Sequence, residues 1–115
     1  MRFVVFGVNY TIGMKSMTKI VWKHKPFGST PVQATGWINN RPFYFSSRYK
    51  TSEIEFANYE NIEEKPEFVI NSDDKTTHVL KEYKTPYEAG YIEYHEAERL
   101  INVFAESQVL TCQIH

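Results

Sequence analysis

Cysteine is almost absent from this sequence. The 115-residue chain contains one cysteine, Cys112, so no disulfide can form within it. A fold that does without disulfides suits a reducing compartment, and we expect the protein to be cytoplasmic. We interpret Cys112, near the end of the chain, as a buried structural thiol rather than a nucleophile.

Long hydrophobic runs are also missing. Phe3 to Val8 is apolar but ends at Asn9, which makes it too short to span a membrane. No small-residue cleavage pattern follows it, so it is a poor secretory signal. We therefore expect no membrane partner.

The sequence lacks the common catalytic and cofactor motifs. It contains no P-loop, no GxGxxG after a strand, no CxxC, no HExxH and no GxSxG. The four histidines, His24, His78, His95 and His115, are scattered, which does not favour a metal site. We expect a protein without cofactor or enzymatic activity, although an active site assembled between subunits would leave no trace in the sequence.

Acidic residues are absent from the first part of the chain. Residues 1–50 contain eight Lys or Arg and no Asp or Glu, whereas residues 51–115 contain five basic and fourteen acidic residues. The division indicates either an anion-binding face or basic strands that pair with acidic strands in one sheet. The overall net charge of −1 argues against nucleic-acid binding, which depends on neutralising phosphates.

Aromatic residues are abundant by contrast, with eight Phe, eight Tyr and two Trp. Such side chains pack well on a half-buried pleated surface and favour strands. We predict an α+β fold, with an antiparallel sheet of about five or six strands and one C-terminal amphipathic helix packed on one face. The length fits a single domain over residues 1–115. Because Met14 and Met17 are alternative starts, residues 1–16 are either part of it or an N-terminal extension.

Turn residues divide the sheet region into strands. Asn39 and Asn40 suit a two-residue hairpin turn, since Asn tolerates positive φ. A second turn at Lys50-Thr51 would place Arg48 opposite Glu53. The predicted strands are Arg2–Val8, Lys19–Lys23, Val32–Ile38, Pro42–Tyr49, Ser52–Asn58, Phe68–Ile70 and Thr76–Tyr83, with an acidic loop over Tyr59–Glu67 and a last short pairing at Tyr91-Ile92.

One segment has helical periodicity. Apolar residues between Tyr94 and Ser107 recur at i, i+3, i+4 and i+7, which predicts an amphipathic helix over that range. Val109 to Ile114 is an apolar tail, interpreted as a final strand or an oligomer contact. The predicted core consists of Phe43, Phe45, Ile54, Phe56, Ala97, Leu100, Ile101 and Phe104.

The candidate site lies on one strand. Tyr44, Ser46 and Arg48 alternate with the Phe residues, so they share the opposite face of the sheet. Tyr can stack on a ring and Arg can hydrogen-bond an anion, which is the chemistry of a nucleotide or single-strand binder. An open antiparallel face also needs such amphipathic residues for solubility alone. The predicted ligand-binding residues are Trp37, Arg41, Tyr44, Ser46, Arg48 and Tyr49.

The segment from Gly36 to Arg48 resembles a hairpin of small uncharacterised phage and bacterial proteins that reads G-x-I-D-G-x-P-F-Y-F-R-x-R. Asn39-Asn40 stands in place of the D-G turn, and Ser46 stands where the first Arg would be. Gly90-Tyr91-Ile92 is similar to their C-terminal pattern. The resemblance implies a phage or mobile-element setting and no particular activity.

These observations predict a non-enzymatic binding protein that sequesters an anionic, nucleotide-like ligand. The alternative is an inhibitor or adaptor that acts on a host protein through an exposed aromatic surface or the acidic segment Tyr59–Glu67. A nucleic-acid binder is the third possibility. We also expect a homo-oligomer, because one helix cannot cover both faces of so aromatic a sheet.

Overall fold

The described part of the chain forms an antiparallel sheet with one long helix. The computed structural model describes the backbone of residues 18–114 and the side chains of residues 18–108. Five strands follow one another in the sheet in chain order, each hydrogen-bonded to the next. They are β1 (Ile20–Phe27), β2 (Val32–Ile38), β3 (Arg41–Arg48), β4 (Thr51–Ala57) and β5 (Lys75–Glu82). The predicted α+β class is thus confirmed.

Some predictions fall outside the described residues. These are the strand Arg2–Val8, the possible extension over residues 1–16, the surroundings of the Cys112 thiol, and His115. Within the described part, β1 continues beyond the predicted Lys23 and includes Pro26. Because β1 is an edge strand of this sheet, a residue without an N–H is tolerated there.

The C-terminal helix, α1, runs from Tyr94 to Ile114. The predicted end at Ser107 is therefore too early, and the interpretation of Val109 to Ile114 as a final strand is wrong. No Gly or Pro lies within this stretch to stop the helix, so the backbone hydrogen bonding continues through it.

The core lies between α1 and one face of the sheet. Phe43 and Phe45 of β3 are completely buried, and the ring of Phe104 packs edge-on against Phe56, with centroids 5.2 Å apart. All eight predicted core residues belong to one buried cluster, which also includes Val32, Ala34, Ile38 and Ala105. Period-2 alternation on the strands and the helical stripe were thus sufficient to identify eight of the twelve residues of this cluster.

The β3–β4 hairpin differs from the prediction in register. Arg48 pairs with Thr51 and Ser46 with Glu53, so the turn residues are Tyr49 and Lys50 rather than Lys50 and Thr51. Each predicted partner is displaced by two residues. A displacement of two keeps every side chain on its predicted face, because faces alternate with period 2, whereas burial of the Phe residues forbids a displacement of one.

The β2–β3 hairpin turns where predicted. Asn39 and Asn40 have φ of 50° and 71°, the left-handed values that a tight hairpin turn requires. The pairing sets Trp37 opposite Pro42, so the register places Trp37 on the same sheet face as Tyr44.

The sheet face opposite α1, here called the open face, is partly covered by the chain itself. After an irregular loop over residues 58–65, a 3-10 helix over Pro66–Asn71 packs mainly on β3, with Pro66 and Val69 buried. The predicted strand Phe68–Ile70 is therefore wrong: Pro at the first turn has no N–H to lose there and its fixed φ suits a helical turn. Lys23 of β1 anchors the segment through Glu67, with Nζ 3.1 Å from Oε2.

A second 3-10 helix over Glu88–Tyr91 replaces the predicted pairing at Tyr91-Ile92. Buried hydroxyls fix it to the sheet. Ser47 Oγ donates to the Ala89 carbonyl at 2.6 Å and also lies 2.6 Å from Ser52 Oγ, which lies 2.8 Å from the Tyr83 hydroxyl. Since each hydroxyl has one proton, the donors must run from Tyr83 to Ser52 to Ser47 to Ala89.

Charged side chains join α1 to β5 at the surface. Glu96 accepts two hydrogen bonds from Arg99, one turn further along the helix, and one from Lys81. The hydrogen bonds from Arg99 have the largest effect on the pKa of the Glu96 carboxyl. Together with that from Lys81 they lower this pKa to about 2, although burial acts in the opposite direction. The carboxylate therefore stays charged at any physiological pH.

Replacing Gly36 with alanine should destabilise the fold. A methyl group at this position of β2 would collide with the Val21 carbonyl oxygen and lie 3.1 Å from the Phe43 ring. Overpacking of this kind costs about 1–3 kcal/mol. We expect Gly36→Ala to lower the free energy of unfolding by that amount in urea denaturation. Glu82→Ala, at an exposed site on an edge strand, is the control, and equal stability of the two variants would contradict the packing described here.

Removing the Ser47 hydroxyl should also destabilise the fold. Ser47→Ala leaves the buried Ala89 carbonyl without its donor and Ser52 without its acceptor, and an unsatisfied buried group costs about 1–3 kcal/mol. Tyr83→Phe deletes only the first donor of the chain and should cost less. Thermal unfolding of both variants measures this order, and a larger loss for Tyr83→Phe would contradict the donor direction.

Candidate functional site

A polar groove lies on the uncovered part of the open face. Its volume is about 340 Å³, within the range of roughly 300–1,000 Å³ for small-molecule sites. It is lined by Tyr44, Ser46, Arg48, Tyr49, Thr51, Glu53, Glu55 and Ile70. We call it the Arg48 groove. The strands supply its floor, and the covering 3-10 helix contributes Ile70.

Arg48 is the cationic group of this groove. It is exposed at the end of β3, and its guanidinium lies 5.5 Å from the centroid of the Tyr49 ring. Among the described residues it forms no ion pair within 4 Å, although Glu53 and Glu55 line the same groove. The predicted placement of Arg48 opposite Glu53 is therefore wrong, because Arg48 pairs across the strands with Thr51.

Tyr44 lines the groove and is half-buried. Its hydroxyl donates a hydrogen bond to Gln33 Oε1 at 3.0 Å. Burial raises the pKa of the Tyr44 phenol, while the positive charge of Arg48 lowers it and the negative charge of Glu55 raises it further. The phenol therefore stays protonated at neutral pH, and the Arg48 guanidinium is near enough to act on it.

The two carboxylates are each held by a neighbour. Thr51 Oγ1 donates to Glu53 Oε2 at 2.8 Å, and Thr77 Oγ1 donates to Glu55 Oε1 at 2.8 Å. Lys75 also pairs with Glu55, with Nζ 2.9 Å from Oε1. The groove is thus an amphoteric site, with one cation and two positioned carboxylates, rather than a purely basic face.

The structure brings together four of the six predicted ligand-binding residues, namely Tyr44, Ser46, Arg48 and Tyr49. It does not bring the other two there. Trp37 shares the open face but donates its indole N–H to the Asn61 carbonyl at 3.0 Å, outside the groove. Arg41 lies on the same face of β3 as Phe43 and Phe45, because alternate residues share a face. Its guanidinium lies over the Phe56 ring, 4.0 Å from the ring centroid.

Glu53, Glu55, Thr51 and Ile70 were not predicted as site residues. The sequence did contain a signal for Glu53 and Glu55, since period-2 alternation places them on the same sheet face as Tyr44. Ile70 had no such signal, because its approach to the groove depends on the packing of the covering 3-10 helix, which the sequence did not reveal.

The division of charge along the chain has a partial structural counterpart. The pair between Lys23 and Glu67 joins the basic part of the chain to the acidic part. The pairs of Lys75 with Glu55 and of Lys81 with Glu96 lie within the acidic part. Basic strands therefore do not simply neutralise acidic ones, and Arg48 keeps its charge available.

Residues 18–108 contain no group of three or more His, Cys, Asp or Glu side chains arranged to hold a metal ion. Within the described residues, no helix is both long enough and apolar enough to cross a membrane.

Comparison of the chain with protein-family models, curated proteins and solved structures finds no match in any of the three. Function therefore has to be inferred from the chemistry of the groove.

The turn that presents Arg48 and Tyr49 is strained at one residue. Tyr49 has φ of 58°, whereas its neighbour Lys50 does not have a positive φ. A left-handed conformation costs a residue with a side chain about 1–2 kcal/mol, and glycine avoids this cost. We expect Tyr49→Gly to raise the thermal midpoint and Lys50→Gly, the matched control, to lower it. The opposite order in thermal unfolding would contradict the turn geometry.

Proposed function

We propose that this protein is a non-enzymatic binding module that captures a small anionic ligand of nucleotide type in the Arg48 groove. The observation that supports this most is the guanidinium of Arg48. It lies at a groove of ligand size that Tyr44 also lines, has no carboxylate partner within 4 Å among the described residues, and is 5.5 Å from the centroid of the Tyr49 ring.

The groove supplies both interactions that such a ligand needs. A guanidinium binds a phosphate through paired N–H donors, and this geometry is specific to Arg. Tyrosine rings provide faces on which a base can stack, worth about 1–3 kcal/mol per base. The hydroxyls of Ser46 and Thr51, which also line the groove, add neutral hydrogen-bonding groups.

The setting of this activity is proposed on a separate ground. The resemblance of Gly36 to Arg48 to hairpins of small phage and bacterial proteins supports an accessory role in a phage or mobile element. In such a role, binding alone removes the ligand from use, and no catalytic group is required.

Loss of Arg48 should abolish ligand binding without loss of the fold. Since a ligand that binds only the native state stabilises it, nucleoside monophosphates at low ionic strength should raise the thermal midpoint of the wild-type chain by several degrees. We expect Arg48→Gln to show no such rise, because the phosphate loses its charged partner. Its midpoint without ligand should match that of the wild type, since Arg48 is exposed.

Lys25→Gln is the matched control for that experiment. Lys25 is an exposed cation on β1, away from the groove, and its loss changes the net charge equally. It should keep the full response to ligand. The proposal fails if no nucleotide or inorganic phosphate changes the wild-type midpoint, or if both variants respond alike.

A second candidate function is the binding of a host protein. The exposed side chains of Phe68, Ile70 and Val79 favour it, because each is roughly half accessible and all belong to elements beside the groove. This function predicts a stable complex that Phe68→Ser weakens, with no effect of small ligands. The acidic groove wall and the net charge of −1 favour neither DNA nor RNA.

A further inference from the structure

The two carboxylates that line the Arg48 groove, Glu53 and Glu55, can each accept a further hydrogen bond. Thr51 occupies Oε2 of Glu53, and Thr77 with Lys75 occupies Oε1 of Glu55. The other oxygen of each carboxylate accepts no hydrogen bond from the described residues. Each neighbour therefore orients its carboxylate and leaves one charged acceptor for something else.

The cationic and anionic ends of the groove are separated along the strands. Arg48 pairs with Thr51, Ser46 with Glu53, and Tyr44 with Glu55. Successive residues on one face of a strand are about 6.6–6.8 Å apart. Glu53 thus lies one such step from the Arg48 end, and Glu55 lies two steps from it.

This arrangement restricts the ligand. A carboxylate only accepts hydrogen bonds, and like charge opposes a plain anion beside Glu53. A ligand that fills the groove must therefore present an anion at Arg48 and N–H donors further along the strands. A free amino acid without a cationic side chain does not fit this description, because its two charged groups are attached to one carbon and cannot span the step between them.

We propose that the groove selects nucleotides whose base carries an exocyclic amino group, with the phosphate at Arg48 and the amino group donating to Glu53. The ring would lie against Tyr44 or Tyr49, which both line the groove. This inference rests on the proposed function and adds to it the class of base that is accepted. Glu53 is then a specificity-determining residue, because an unpaired charged acceptor rejects a base that lacks the donor.

Binding of related nucleotides to the full chain tests this selection. Guanosine and adenosine monophosphate both carry an exocyclic amino group, which inosine monophosphate lacks, and ribose 5-phosphate has no base. By calorimetric titration at low salt we expect at least one amino-bearing nucleotide to bind about tenfold or more tightly than inosine monophosphate, since hydrogen bonds to charged groups are strong. Ribose 5-phosphate should bind most weakly.

Glu53→Gln gives a readout that a structural role would not produce. It should bring the affinities for amino-bearing nucleotides and inosine monophosphate to within about threefold of one another. It should also strengthen the binding of ribose 5-phosphate, because it removes a negative charge that lies beside the bound phosphate. Glu106→Gln, an equal change of charge on the exposed surface of α1, should leave all four affinities as they are.

The outcomes separate this inference from the proposed function. If all nucleotides bind equally and Arg48→Gln abolishes the binding, the groove binds anions but does not select the base, and the inference is overturned. A preference for amino-bearing bases that survives Glu53→Gln also overturns it. If none of the four compounds binds the wild-type chain, the proposed function fails and the inference fails with it.

Discussion

Burial of Phe43 and Phe45 beneath α1 is the constraint on which the other features of this structure depend. Both rings are completely buried, and they fix which face of β3 meets the helix. Because side chains alternate along a strand, the same packing turns Tyr44, Ser46 and Arg48 to the opposite face. The position of the groove is thus a consequence of the core, and a site residue cannot leave the groove face without exposing a Phe.

The cation and the carboxylates of the Arg48 groove are held at separate positions on the open face and do not neutralise one another in an ion pair. The β3–β4 register sets Arg48 against Thr51, so that Glu53 and Glu55 lie beside Ser46 and Tyr44 instead. Threonine hydroxyls and Lys75 hold the carboxylates, while Arg48 stays without an ion-pair partner among the described residues. A groove that keeps both charges separate is suited to a ligand with an anionic end and a donor-bearing end.

Some features of the site could be predicted because they depend only on the alternation of side chains along a strand. The faces of Tyr44, Ser46 and Arg48 follow from alternation, and an error of two residues in register left them unchanged. The same error paired Arg48 with Glu53 and so concealed the amphoteric character of the groove. Arg41 was placed in the site through its nearness in sequence, although its parity is that of the Phe residues.

The sequence by itself determined the fold class, the eight core residues, the Asn39-Asn40 turn and the face on which the site lies. These depend on local periodicity and on the backbone preferences of single residues. Only the tertiary structure decided the exact partners across β3 and β4, the 3-10 helix that brings Ile70 to the groove, and the hydroxyl chain that fixes Ala89. Each of these depends on contacts between residues far apart in the chain, which carry no periodic signal within any one segment.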